Sequence, residues 1–305
     1  MKQRLKTLML PVAILGGALF YKWMDYLTFL SPYLIFIMLT ITYCRLEPKD
    51  LKVGRVQAWL LLAQLGLSAA FYFLLSGWDE VVATGVFICV FVPTATAAPV
   101  ITAMLGGSLS KLATFSLVSN LAVAAIGPLV LAAIGVHPDM TFLQSFGLIC
   151  SRVLPLLILP IVTAFVLRYT CRRFHDAIAN HQSISFYMWA VSLFIVVGSS
   201  VSYIINHYRP EHAWQMVWLA LGALVATMVS FAVGRRIGGV FGDKISGGQG
   251  LGQKNTVLAI WLAIAYLNPI ASVAPASYVA WQNILNSLQL MQHRRSAETK
   301  AEVTC

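Results

Sequence analysis

The sequence predicts an all-α polytopic membrane protein: ten transmembrane helices as two inverted five-helix repeats, with two broken helices, spans four and nine, that cross. Three observations predict it. Of the 305 residues 59% are apolar and only 10% charged, against about a quarter charged in soluble domains. Two apolar runs are interrupted in their middles, at Val92-Pro93-Thr94-Ala95-Thr96-Ala97-Ala98-Pro99 and within ISGGQGLGQKNTVLAIWLAIAY, residues 245–266. Lysine and arginine gather in alternate loops, as they do on the cytoplasmic side of membrane proteins. The formal net charge of +10 thus reflects topology, because the basic residues form short clusters between apolar runs and no continuous face for nucleic acid.

A span needs roughly 20 apolar residues. The beginning resembles a signal peptide, with Lys2, Arg4 and Lys6 before an apolar run. A second apolar run follows within a few residues, so it reads as an uncleaved first span. The windows are 6–22, 27–44, 56–76, the broken 80–106, 108–136, 142–169, 184–206, 212–235, the broken 241–267 and 271–291. Pro93 and Pro99 cannot both sit inside one straight helix. The glycines Gly247, Gly248, Gly250 and Gly252, beside Gln249, Gln253, Lys254 and Asn255, read as a second broken helix lining a cavity. Residues 1–137 form the first repeat, 138–292 the second, and 293–305 a cytoplasmic tail. An odd number of crossings separates the halves, so they are inverted, and paired interrupted segments mark a transporter's binding site. Asn120 in span five and Asn283 in span ten are candidate counterparts, as are Leu10-Pro11 and Leu154-Pro155 or Leu159-Pro160.

With the amino terminus inside, cytoplasmic segments hold Lys2, Arg4, Lys6, Arg45, Lys49, Lys52, Arg55, Lys111, Arg168, Arg172, Arg173, Arg235, Arg236, Lys244, Arg294, Arg295 and Lys300. Only Lys22 and Arg209 fall outside, which places both termini in the cytoplasm. Arg152 and Lys254 lie within apolar spans, whereas all 11 acidic residues and all 6 histidines fall at loops or termini. The predicted membrane interior therefore holds two cations and no carboxylate. Cys44, Cys89, Cys150, Cys171 and Cys305 show no C-x-x-C spacing, so they read as free thiols and not as a metal site.

Where two broken helices cross, the amino ends of the second halves, near Thr96 to Pro99 and Gln253 to Asn255, favour anions. The carboxyl ends of the first halves commonly hold a cation, and Lys254 supplies one covalently. The bland alternative is that Lys254 snorkels to the cytoplasm. Arg152, about 15 Å along its span by helical rise, either faces the cavity or snorkels outward. Thr94, Thr96 and Thr102 serve as ligands or as caps of a broken helix. Ser116, Ser119, Asn120, Gln282, Asn283, Asn286 and Ser287 read as packing between spans, and Gly198-Ser199-Ser200 as a close helix approach. Trp261, Tyr266 and Trp281 read as packing or interfacial anchors.

Pro93-Thr94-Ala95-Thr96-Ala97, Gly252-Gln253-Lys254-Asn255-Thr256-Val257-Leu258-Ala259 and Trp281-Gln282-Asn283 resemble motifs of the bile acid:sodium symporter family. There they look like a proline–glycine–glycine–threonine–alanine crossing, a glycine–methionine–glutamine–asparagine crossing and tryptophan–histidine–asparagine. The resemblance covers residues 6–291. It implies ten helices, with a panel of spans 1, 2, 6 and 7 moving against a core of spans 3–5 and 8–10. The departures fall on the ion-site equivalents. Gly250 stands where sodium-coupled members carry glutamate, Lys254 replaces a glutamine next to Gln253, and Ala98-Pro99 replace a serine–asparagine pair. Leu112 stands where a hydroxyl is expected, and Ser116 keeps a second one. Losing a carboxylate and gaining an ammonium disfavours sodium there.

The resulting expectation is a secondary transporter of an organic anion, a carboxylate or sulfonate, by alternating access. Its substrate would lie near Thr94, Thr96, Asn120, Lys254, Asn255 and Asn283, helped by Arg152 or Ser199. No cofactor is expected, and Lys254 would replace sodium or carry a proton instead. Alternatives are a sodium-coupled symporter of the same family and an exporter like the auxin-efflux carriers. A different class, an intramembrane hydrolase using Ser116 and Lys254, lacks any catalytic motif, and a receptor lacks a soluble relay domain. The partners are the anion and the lipid bilayer, with no nucleic acid, and the expected location is the bacterial inner membrane.

Overall fold

The computed structural model describes residues 12–45, 53–95, 98–135, 141–180, 182–207 and 210–304. Among them every regular element is a helix. These are α1 (12–19), α2 (Tyr21–Met24), a 3₁₀ corner (Asp25–Leu30), α3 (Ser31–Cys44), α4 (Arg55–Ser76), α5 (Glu80–Phe91), α6 (Ala98–Met104) and α7 (Leu109–Ile134). There follow α8 (Phe142–Thr170), α9 (Arg172–Asn180), α10 (Gln182–His207), α11 (Pro210–Val240), α12 (Lys244–Gly252), α13 (Thr256–Tyr266), a 3₁₀ turn (Pro269–Ser272) and α14 (Val273–Thr304).

Among the described residues, 6 helical stretches are long and apolar enough to cross a membrane: Tyr21–Cys44, Arg55–Ser76, Leu109–Ile134, Phe142–Thr170, Tyr187–Asn206 and His212–Val240. Four predicted windows are missing from that set. The first window, 6–22, lies partly outside the described residues, which hold only its α1 (12–19) and the start of α2. The broken windows divide into halves of 12 and 7 residues and of 9 and 11, each too short to span lipid. In the tenth, α14 carries the buried Gln282 and Asn286, and helix continues through the residues predicted as a tail.

The helices pack as two groups. In one, α3 lies against α8, α9 and α10, and α2 lies against α10. In the other, α4, α5, α7, α11, α12 and α14 pack on one another, with α6 against α7 and α12. The groups meet where α10 touches α13 and the Pro269–Ser272 turn, where α13 touches α3, and along the consecutive α7 and α8. Lipid gives no hydrophobic drive for helices to associate, so close backbone approach matters most. A Cβ on Gly247 would strike the Gly234 carbonyl, and one on Gly238 the Asp243 carbonyl. The glycine run of the predicted broken helix is itself regular helix seated on α11, and all of Gly247, Gly248, Gly250 and Gly252 are buried. Lys244–Gly252 needs glycine for proximity to its neighbour, and the break itself falls at 253–255.

Val217, Leu221, Val225 and Met228 of α11 form an exposed apolar stripe at helical spacing, the surface a lipid-facing helix presents. Trp78, Trp214 and Trp218 stack edge to face at 5.2 and 5.4 Å, an interfacial aromatic cluster. At the opposite end of α11, Asp243 caps α12 by accepting from the Ser246 N–H and also binds the Ser108 N–H, both at 2.9 Å. Lys111 Nζ closes that corner by donating to the Phe241 carbonyl at 3.1 Å.

Candidate functional site

Pro93 ends α5, and the chain past it runs extended against the extended residues that end α12. Thr94 and Lys254 pair antiparallel. The Ala95 N–H donates to the Gln253 carbonyl and the Asn255 N–H to the Pro93 carbonyl, both at 2.9 Å. The two interrupted segments therefore satisfy each other's backbone where neither is helical, as buried chain requires. Pro99 falls in the first turn of α6, where its missing N–H costs nothing.

Lys254 lies at the centre of this crossing with 0% of its surface exposed, which excludes a side chain snorkelling to the cytoplasm. Its Nζ donates to the Val92 carbonyl at 3.1 Å and its backbone N–H to Gln282 Oε1 at 2.9 Å. Val92 caps the carboxyl end of α5, so the ammonium meets the negative end of a half-helix dipole. Gln64 Nε2 joins it there, donating to the Phe91 carbonyl at 2.6 Å and to Val92 at 3.2 Å, and Ser119 Oγ donates to Gln64 Oε1 at 2.8 Å. Among the described residues no carboxylate pairs with this lysine. An intramembrane charge so placed costs about 2.5–3.5 kcal/mol on insertion scales, and hydrogen bonds to a charged group return about 1.5–3 each.

The end of α12 is finished differently. Thr94 Oγ1 donates to the Gly250 carbonyl at 2.7 Å, and the Tyr278 hydroxyl donates to that of Gly252 at 2.8 Å. A Cβ on Gly250 would lie 2.9 Å from the Phe115 ring and 3.6 Å from Leu112, both side chains fully buried. Apolar atoms of α7 thus fill the space beside Gly250.

Asn255 caps α13, its Oδ1 accepting from the Leu258 N–H at 3.2 Å. Among the described residues its Nδ2 has no hydrogen-bond partner, nor do Gln253 Oε1, Thr256 Oγ1, Thr102 Oγ1 or Asn120 Oδ1. Each buried unpaired group costs about 1–3 kcal/mol, and three of these, on Gln253, Asn255 and Thr256, fall at the amino end of α13. Asn120 Nδ2 donates to the Ser116 carbonyl at 2.8 Å and Asn283 Nδ2 to that of Val279 at 2.7 Å. Ala98 is buried. Thr96 lies outside the described residues.

Two other predicted residues stand apart. Ser199 Oγ donates to Asp25 at 3.0 Å and shares a hydrogen bond with Thr28, while Ser202 also donates to Asp25; the serine thus fastens the 3₁₀ corner to α10. Arg152 lies exposed on α8, where its guanidinium approaches the Tyr266 hydroxyl. Sequence reasoning missed Gln64 and Tyr278. For Gln64 a signal existed, a lone amide in the middle of an apolar span; for Tyr278 none did, since its hydroxyl is needed only by a carbonyl 26 residues away.

No curated protein matches the sequence. A family model described as the sodium bile acid symporter family matches residues 26–207. With more than half of its length matched, the chain belongs to the sodium bile acid symporter family.

Proposed function

We propose that the protein is a secondary transporter that carries a small organic anion across the membrane by alternating access, without sodium, using Lys254 as a fixed substitute for the coupling ion. Family membership supports a transporter of organic, bile-acid-like anions. The observation that carries the sodium-free reading is the Lys254 ammonium, buried and bonded to the Val92 carbonyl. A carbonyl at a half-helix carboxyl end is what a coupling cation would use, and here it is taken. Gly250 offers no carboxylate, and Phe115 and Leu112 occupy the adjoining space.

The ten-span inverted repeat is part of this proposal. Asn120 and Asn283, predicted counterparts, make the same bond to the carbonyl four residues earlier. The two packing groups support a panel of spans 1, 2, 6 and 7 and a core of spans 3–5 and 8–10. Substrate is assigned to the unpaired polar atoms around Asn255 and Thr256 and to Asn120, with Arg152 as a second cation. Lys254 acts on it through charge, since its Nζ is already engaged. We place the protein in a bacterial inner membrane with both termini cytoplasmic.

A thermal-shift screen of organic carboxylates and sulfonates, with and without sodium, on the wild type and Lys254→Gln tests the reading. An anion that stabilises the wild type equally in sodium and potassium and fails to stabilise the variant is the expected outcome. Stabilisation by sodium alone would contradict it.

A further inference from the structure

The two helical groups meet where α10 touches α13 and the turn that follows it. A buried side-chain hydrogen bond joins the groups there. Ser272 Oγ, at the end of the turn between α13 and α14, donates to Ser200 Oγ of α10 at 3.1 Å, and the two residues are 0% and 3% exposed. Ser200 in turn donates to the Val196 carbonyl at 2.9 Å, so the Ser272 hydroxyl is held by an acceptor already fixed to its own helix. Separating the groups here breaks that hydrogen bond.

The contact is also placed at one end of the joint. The α10 helix lies along α13 and against the Pro269–Ser272 turn, whereas α12, on the far side of the break, packs on α4, α6, α7 and α11 of its own group. Arg152 of α8 approaches Tyr266 near the same end. Behind Ser200 the α10 helix is braced, because Ser199 and Ser202 bind Asp25 of the 3₁₀ corner. A rigid post on one group therefore meets a short turn on the other.

We infer that the Ser200–Ser272 contact is a latch that holds the two helical groups together at the Tyr266 end and must open in each transport cycle. This rests on the transport reading above. Opening it frees the α13–α14 turn from α10 while the crossing and its lysine stay within their own group.

Paired cysteines test the latch directly, since the longer Cβ–S bonds would bring two sulfurs from the 3.1 Å hydroxyl separation towards the disulfide length of about 2 Å. In membranes holding the full chain, oxidised Ser200→Cys/Ser272→Cys should yield a peptide linking the two positions. Uptake of the anion found by thermal shift should fall at least fivefold and return on reduction, while either single variant responds to neither treatment. Absence of the linked peptide, or linkage with uptake intact, would overturn the latch. A readout independent of transport is amide exchange of Ser272→Ala. Faster exchange confined to residues 197–203 and 268–274 supports the latch, and unchanged exchange refutes it. If neither wild type nor reduced variant moves any anion, the transport reading fails, and linkage and exchange still decide whether the contact exists.

Discussion

The two broken helices end in the same way and are finished with opposite chemistry. At the carboxyl end of α5 the free carbonyls meet the Lys254 amine, Nζ, together with the Gln64 amide. At the carboxyl end of α12 they meet two neutral hydroxyls, Thr94 and Tyr278. Both arrangements satisfy backbone groups that lipid cannot, so satisfaction alone does not explain the lysine. A neutral donor would have served at α5, as it does at α12. The two half-helix ends of the crossing thus differ in the donor that meets them, an amine at α5 and hydroxyls at α12.

Removing that amine should have the largest effect. Lys254→Met keeps the side-chain volume and leaves Val92 bonded to Gln64. Replacing a buried ion by an apolar residue is often neutral or stabilising by about 1–4 kcal/mol, so the melting temperature should hold or rise. Anion uptake should fall by about tenfold or more, equivalent to 1.4 kcal/mol. Fluorimetric melting and proteoliposome uptake read the two halves, and a variant that melts lower with transport intact would make the lysine structural. Next comes Gly250→Glu, whose side chain meets Phe115 at 2.9 Å; overpacking of this kind costs about 1–3 kcal/mol. Opening the space by Phe115→Ala and neutralising the rival charge by Lys254→Gln should give Gly250→Glu a sodium-dependent rise in melting temperature that the wild type lacks. The neutral crossing should be less sensitive, with Thr94→Val and Tyr278→Phe each costing about 0.5–1.5 kcal/mol and leaving the sodium response unchanged.

The smallest expected effect is acid sensitivity outside the spans. Burial pushes the Asp243 carboxyl up, but hydrogen bonds from the Ser246 side chain and backbone and from the Ser108 N–H, with the Lys111 charge, outweigh it and hold the group below its usual range. A carboxyl depressed in the folded state stabilises the fold above its unfolded value, about 3.9, and loses that contribution as pH falls through the folded value. Melting temperature should therefore drop below about pH 4 in the wild type and drop less in Asp243→Asn.

Much of this contrast was legible in the sequence. Both breaks, and helices α4, α7, α8 and α10, lie close to their predicted windows, because an apolar run bounded by charge fixes a span by length. That Lys254 would meet a half-helix carbonyl followed from the logic of a broken helix. The rest depended on neighbours. Glycines in α12 read in sequence as a cavity lining, and they serve close approach to Gly234 and Gly238 of α11. Ser199 looked free for substrate until the 3₁₀ corner brought Asp25 to it from 174 positions away. The polarity that keeps α14 out of the apolar set is the same polarity that binds the crossing through Gln282.

The most direct test of the fixed-cation account is uptake of an organic anion into proteoliposomes containing the wild-type chain, measured under an inward sodium gradient and with potassium replacing sodium throughout. The account predicts equal initial rates in the two conditions. A rate that rises about tenfold with sodium would show that a mobile ion still does the work assigned to Lys254.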